Sequence, residues 1–192
     1  MRYAICDSVK IMPMPGAAAF CPGCNSPVIA KCGQINVWHW AHVSNMDCDE
    51  WYEPESLWHL GWKDYFPVDN QEVVMKPHRA DVRTDRGVVI ELQHSHISVE
   101  EAQKREAFYK NMIWVINGND FEERFCRMQQ DGYEKFKWYH PRKTWQFTTK
   151  PVYIDFGYTL FEIRKFYSNG WGWGKKVDRK RFIESHGGTL LK

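Results

Sequence analysis

The sequence predicts an α/β fold in three segments: an N-terminal metal-binding module over 1–50, an α/β core over 51–134 and an antiparallel β extension over 135–192. Three observations carry this expectation. Cysteine, histidine, proline and glycine crowd the first third with little periodicity, which suits a small metal-stapled module. The middle reads as helix, three strands, helix, strand, helix. The last third holds three short runs rich in β-branched and aromatic residues, set apart by turn residues.

At 192 residues, 43% hydrophobic and 16% aromatic, the chain can bury one good core and is too apolar for a disordered protein. No apolar run approaches the ~18–20 residues of a membrane span, and residues 1–8 lack the apolar stretch of a secretory signal. A cytoplasmic protein with no membrane partner is therefore expected. The net charge of +2 hides an asymmetry: residues 135–192 carry 13 Lys+Arg against 4 Asp+Glu, a net of +9, which leaves 13 against 20, a net of −7, for the rest. An acidic body with a basic tail suits an enzyme that gathers cations and grips a polyanion; a merely solvated tail is the plain alternative. Six cysteines would allow disulfides, but a chain of this length without an export signal does not need them.

In order, residues 54–66 read as a helix, with Pro54 at its first position and Leu57, Leu60 and Tyr65 starting an apolar stripe. A strand at 72–76 precedes a hairpin whose arms are 78–84 and 88–95, joined by Asp85-Arg86-Gly87 with the glycine left-handed. Opposed residues in that hairpin have numbers adding to 172, so Asp81 faces Glu91. Opposed Cβ atoms lie roughly 4.5–5.5 Å apart, and Gln93 points to the same face. Two carboxylates held together call for a divalent cation. Ser98-Val-Glu-Glu101 opens a capped helix to about Lys110, and 112–117 is a buried strand. A helix is expected over 120–130, strands over 144–148, 151–155 and 160–167, a flexible loop over 170–174 and a short basic helix over 175–182.

Cys21-Pro-Gly-Cys24 followed by His39 and His42 offers two thiolates and two imidazoles, the tetrahedral set that zinc prefers. Cys32 and Cys48 are possible substitutes for one histidine each, and free thiols beside core histidines are the plain alternative. Four protein ligands leave no open position, so the zinc would be structural. Glu55, His59 and Lys63 recur every fourth residue and so line one helix face; Arg105 and Tyr109 do the same on the next helix. Such stripes are commonly solvated surface.

These pieces resemble the competence CoiA-like nucleases of the PD-(D/E)XK superfamily. The resemblance runs through Cys21-x-x-Cys24, His39-Trp-Ala-His42, Glu55-Ser-Leu-Trp-His59 with Lys63, Arg79-Ala-Asp81, Glu91-Leu-Gln93, Arg105 with Tyr109, and Ile113-Trp-Val-Ile116, in the family's order over roughly residues 20–117. It implies a PD-(D/E)XK-like core, a mixed central sheet flanked by helices, and magnesium-dependent cleavage of DNA. One departure matters: the superfamily's usual lysine two residues after the second acid is Gln93 here. Glutamine can orient a water but cannot act as a base near neutral pH. Either the cation alone activates the water, or Lys63 supplies an ammonium from the facing helix.

The expected site then has Asp81, Glu91 and the Leu92 carbonyl holding Mg²⁺ or Mn²⁺, Gln93 orienting the water and Glu55 completing the acidic pocket. His59, Lys63 and Arg105 would steady the phosphate, and Tyr109 would reach the same cleft and touch the nucleic acid. Trp171, Trp173, Lys175, Lys176 and Arg179 would hold the DNA, the aromatics by stacking if it is single-stranded. No small-molecule cofactor is expected, and an oligomer is neither required nor excluded. The rivals are a catalytically inactive zinc-containing DNA-binding protein, an active site at His39 and His42, and a protein-interaction factor using the exposed aromatics.

Overall fold

The computed structural model describes residues 1–44 and 48–190. The fold is mixed α/β, mostly sheet with few helices, and the chain divides into two compact units, Met1–Arg83 and Thr84–Lys192.

The first unit opens with β1 (Ala4–Cys6), β2 (Val9–Ile11), β3 (Ala18–Phe20), β4 (Pro27–Lys31) and β5 (His39–His42). They form a five-stranded antiparallel sheet in the order β2-β1-β3-β4-β5. Asp7 and Ser8, with φ of 47° and 67°, make the two-residue turn between β1 and β2. Met1, Ala4, Ala19, Cys21, Val28 and Trp40 form the small core on this sheet. The N-terminal module thus has a sheet as well as a Cys/His cluster. Strands of three to five residues give too short an alternation to stand out in the sequence.

α1 (Leu57–Lys63) is shorter than the helix expected at 54–66. Its cap is Ser56, whose Oγ accepts from the His59 N–H while His59 Nδ1 accepts from the Ser56 N–H, a capping box with histidine in the usual glutamate position. Pro54 and Glu55 therefore precede the helix. A 3₁₀ turn at Val68–Asn70 leads to β6 (Gln71–Met75), which pairs antiparallel with β7 (His78–Arg83).

The second unit begins with the expected tight turn. The Gly87 N–H donates to Thr84 O at 2.8 Å, the Thr84 N–H donates to Val88 O at 2.9 Å, and Gly87 has φ 74°. β8 (Val89–Gln93), α2 (Val99–Tyr109) and β9 (Met112–Asn117) follow, with β8 and β9 parallel and α2 as their crossover. Every residue of both strands is buried. The Ser98 Oγ caps α2 by accepting from the Glu101 N–H. Next come a 3₁₀ turn (Asn119–Arg124), β10 (Phe125–Gln129), β11 (Glu134–Trp138), a second 3₁₀ turn (Lys143–Gln146), β12 (Val152–Asp155), β13 (Thr159–Phe166), β14 (Trp171–Asp178) and α3 (Arg179–Ser185). The sheet of this unit runs β10-β11-β14-β13-β12-β9-β8, with β9 and β12 parallel and the pairs from β12 through to β10 antiparallel.

Three expectations for this unit are corrected. Residues 120–130 form a 3₁₀ turn and a strand, because Phe121 and Phe125, four apart like helix neighbours, enter one aromatic core with Phe136, Trp138 and Phe161. Residues 144–148 fall largely in a 3₁₀ turn that packs Trp145 on Trp114. The 170–174 segment is the start of β14, which takes Lys175–Asp178 with it and moves the helix to Arg179. Among the described residues no helix is long and apolar enough to cross a membrane.

Candidate functional site

Cys21, Cys24, His42 and Cys48 bring one ligand atom each within 4.8 Å of one another. Cys21 Sγ lies 3.5 Å from Cys48 Sγ, and Cys24 Sγ lies 3.3 Å from His42 Nε2. Tetrahedral zinc with the usual bond lengths separates its ligands by about 3.5–3.8 Å, so this set could hold zinc. The turn is built for it: Cys21 O accepts from the Asn25 N–H, Cys21 N–H donates to Ser26 O, and the Gly23 N–H donates to Cys21 Sγ at 3.4 Å. Burial pushes the Cys48 thiol up to about 12, with the neighbouring Cys21 and Cys24 sulfurs adding to the effect. At Cys24 burial acts upward too, but hydrogen bonds with Ser26, His42 and Cys21 outweigh it and bring the thiol down to about 6. A bound cation would favour the thiolate throughout.

His39 is not in this set, which corrects the expected pair of histidines. β5 contains both His39 and His42, and residues three apart in a strand point to opposite faces. His39 Nδ1 instead lies 2.8 Å from Val37 O, and Cys48 takes the fourth corner.

The second cluster of the first unit centres on Lys63, the last residue of α1. Its Nζ lies 2.6 Å from Glu55 Oε1, 3.2 Å from Glu72 Oε1 and 3.0 Å from Asp81 Oδ1. The side chains of Lys63, Glu55 and Glu72 are at most 8% exposed, whereas Asp81 keeps 24%. Burial would push the Lys63 ammonium down, but Asp81, Glu55 and Glu72 outweigh it and hold it well above its ordinary value. Burial pushes the Glu55 carboxyl up to about 7, Lys63 opposing and Glu72 and Asp81 reinforcing. The Glu55 Oε2 is buried with no hydrogen-bond partner among the described residues, a position that a proton shared with the Glu72 carboxylate satisfies. At Glu72 burial acts upward, but Lys63 and Arg79 hold the carboxyl well below the usual range.

Glu72 was not foreseen. Its φ of 47° takes it off the regular strand conformation, and its carboxylate accepts from the Arg2 N–H at 2.9 Å and the Tyr3 N–H at 3.2 Å. No local pattern signals a partner about 70 residues away. His59, expected near a phosphate, is buried in the α1 cap beside Ser56, with Nε2 3.8 Å from Glu53.

In the second unit, Arg105 Nη1 lies 3.1 Å from Glu91 Oε2 and its Nη2 2.5 Å from Glu101 Oε1. Arg105 and Tyr109 are both buried, so their expected contact with nucleic acid is corrected: Arg105 balances Glu91, and Tyr109 packs against Phe108. Gln93 is buried, its Nε2 leaning toward the Ser95 carbonyl at 3.4 Å.

β14 sorts the remaining candidates by face. A Cβ on Gly172 would meet Lys165 O and the Phe136 ring at 2.3 Å, and one on Gly174 would meet Glu162 O at 2.1 Å and Phe161 at 2.6 Å. The glycines face the aromatic core, and Trp171, Trp173 and Lys175 face outward. Lys176 belongs to the glycine side, opposite Phe161. Arg179 is held at Gly157 O and lies 3.6 Å from Asp155 Oδ2. The outward face gains Lys135 and Lys137, opposite Trp173 and Trp171, and Lys165 beyond Trp173. Alternating Lys135-Phe-Lys137 was a legible signal for the first two.

No curated protein and no solved structure matches the chain. Residues 15–50 match the family model described as competence protein CoiA, N-terminal domain. The Cys₃His cluster and strands β3–β5 are thus the part of this chain that is similar to that domain.

Proposed function

We propose that the protein is a metal-dependent DNA nuclease in which Asp81 and Glu91, with the Leu92 carbonyl, hold Mg²⁺ or Mn²⁺. The observation that carries this reading is the ionic nest around Lys63, in which Asp81 is the most solvent-open carboxylate. Carboxylate oxygens suit a hard divalent cation.

When bound, such a cation polarises a phosphate and lowers the pKa of a water. Lys63 fixes the position of the Asp81 carboxylate through its ion pair, and Arg105 does the same for Glu91. Gln93 orients the attacking water without deprotonating it. Glu55, pushed up to about 7, can exchange a proton near neutral pH. The similarity of residues 15–50 to the CoiA N-terminal domain supports the reading, with the Cys₃His cluster holding zinc in a structural role.

A second reading, an inactive zinc-containing DNA-binding protein, is favoured by one observation: both acids already have a side-chain cation, Lys63 at 3.0 Å and Arg105 at 3.1 Å. Incubating the purified protein with linear and circular DNA, single- and double-stranded, with Mg²⁺ or a chelator, separates the two. Cleavage that requires Mg²⁺ supports the nuclease; intact DNA under every condition supports the silent binder.

A further inference from the structure

We infer that the outward face of β11, β14 and β13 binds single-stranded polynucleotide, with one base on Trp171, the next on Trp173 and the phosphates on the flanking lysines. The inference rests on the reading of DNA as the ligand and adds the strand form that this face accepts.

The register builds the face in rungs. Lys135, Trp173 and Lys165 lie side by side across three strands, and Lys137 sits opposite Trp171. A bulge at Ile163/Lys165 returns Phe166 to the core side and puts Lys165 outside. The Lys137 Nζ lies 5.3 Å from the Trp171 ring centre, and Tyr133 meets Trp173 edge-on at 6.0 Å. These contacts orient the two indoles while leaving them 41% and 37% exposed. A depression of about 660 Å³ lies beside them, lined among others by Asp131, Tyr133, Lys135, Tyr167 and Lys175.

The platform is rigid because Gly172 and Gly174 lock β14 against Phe136 and Phe161. Little ordering remains to be done on binding. Along a strand, residues two apart are separated by about 6.6–6.8 Å, twice the 3.4 Å per nucleotide of a stacked strand. A base can lie on each indole only if the nucleic acid stack is opened. A duplex keeps its base faces closed, whereas an unpaired strand exposes them. Lysines flanking both tryptophans match a polyanion rather than an apolar protein partner.

The test is fluorescence anisotropy with labelled oligothymidine and oligouridine of about 16 nucleotides and a duplex of equal length, all with chelator so that cleavage cannot occur. Trp171→Ala, Trp173→Ala and the corresponding Phe variants are compared, with thermal melts confirming folding. The wild type should bind the single strands at least tenfold more tightly than the duplex. Each Ala variant should lose about tenfold of that affinity, and each Phe variant should keep most of it. The ratio of the two single strands tells DNA from RNA. Duplex binding as tight as single-strand binding, Ala variants that bind like wild type, or a wild type that binds neither single strand would overturn the inference. A protein that binds single strands but cleaves nothing with Mg²⁺ would refute the nuclease reading alone.

Discussion

Lys63 Nζ lies 3.0 Å from Asp81 Oδ1, joining the end of α1 to the middle of β7 inside a nest closed by Glu55 and Glu72. One buried ammonium thereby neutralises part of three carboxylates.

Lys63→Met should destabilise the protein by about 3–5 kcal/mol, because it leaves buried carboxylates without their cation. The ammonium is held above its ordinary value of 10.5, so its stabilisation is complete below that pH and is lost only as pH climbs through the raised value. Urea unfolding should find a loss both at about pH 6 and at about pH 8. A loss confined to one of these would count against the nest.

Glu55→Gln should act in the opposite direction. Its carboxyl is pushed from 4.5 to about 7, so the folded state holds a proton that the unfolded chain releases between those values. Wild-type stability from this group therefore falls as pH rises through that window and stays lower above it. Denaturation should show Glu55→Gln more stable than wild type at about pH 8, by up to about 3 kcal/mol, with the gap closing below about pH 4.5. An equal gap at both ends would refute the assignment.

Zinc content separates the two histidines of β5. Cys48→Ser and His42→Ala should each lose the metal, measured per chain by elemental analysis, and lower the thermal midpoint, since metal binding is coupled to folding. His39→Ala should retain it. Loss of zinc in His39→Ala but not in Cys48→Ser would restore the two-histidine set.

That exchange shows where the sequence stops being legible. The Cys-x-x-Cys turn is local and was readable, but choosing its partners needs the parity of β5, and 39–42 carries no strand signal long enough to reveal it. α2 and β9 were readable because a capping serine and an unbroken apolar run are local facts. Gly170-Trp-Gly-Trp-Gly174 has the composition of a flexible loop. The rings that require glycine there arrive from other strands, Phe161 from the preceding β13 and Phe136 from β11, and nothing within the Gly-Trp repeat itself announces them. The four-residue spacing puts Glu55 and Lys63 on one helix face, whereas in the structure Glu55 precedes α1 and its carboxylate meets the Lys63 ammonium from the segment before the helix.

The glycines of β14 give a direct contrast with one in α1. Gly172→Ala should cost about 3 kcal/mol or more, since its Cβ would strike a backbone carbonyl at 2.3 Å that cannot yield. Gly61→Ala meets nothing within 4 Å and lies inside α1, so it should gain roughly 0.8–1.0 kcal/mol from helix propensity. Chemical denaturation of the two variants checks both signs.

The most direct test of the nuclease reading is Mg²⁺-dependent cleavage of DNA by wild type and Asp81→Asn, measured beside zinc content and thermal midpoint. The substitution removes the charge and keeps the shape, while Glu55 and Glu72 still balance Lys63. The wild type should cleave, and Asp81→Asn should lose cleavage while keeping its fold and zinc. Cleavage by Asp81→Asn at the wild-type rate would contradict the account.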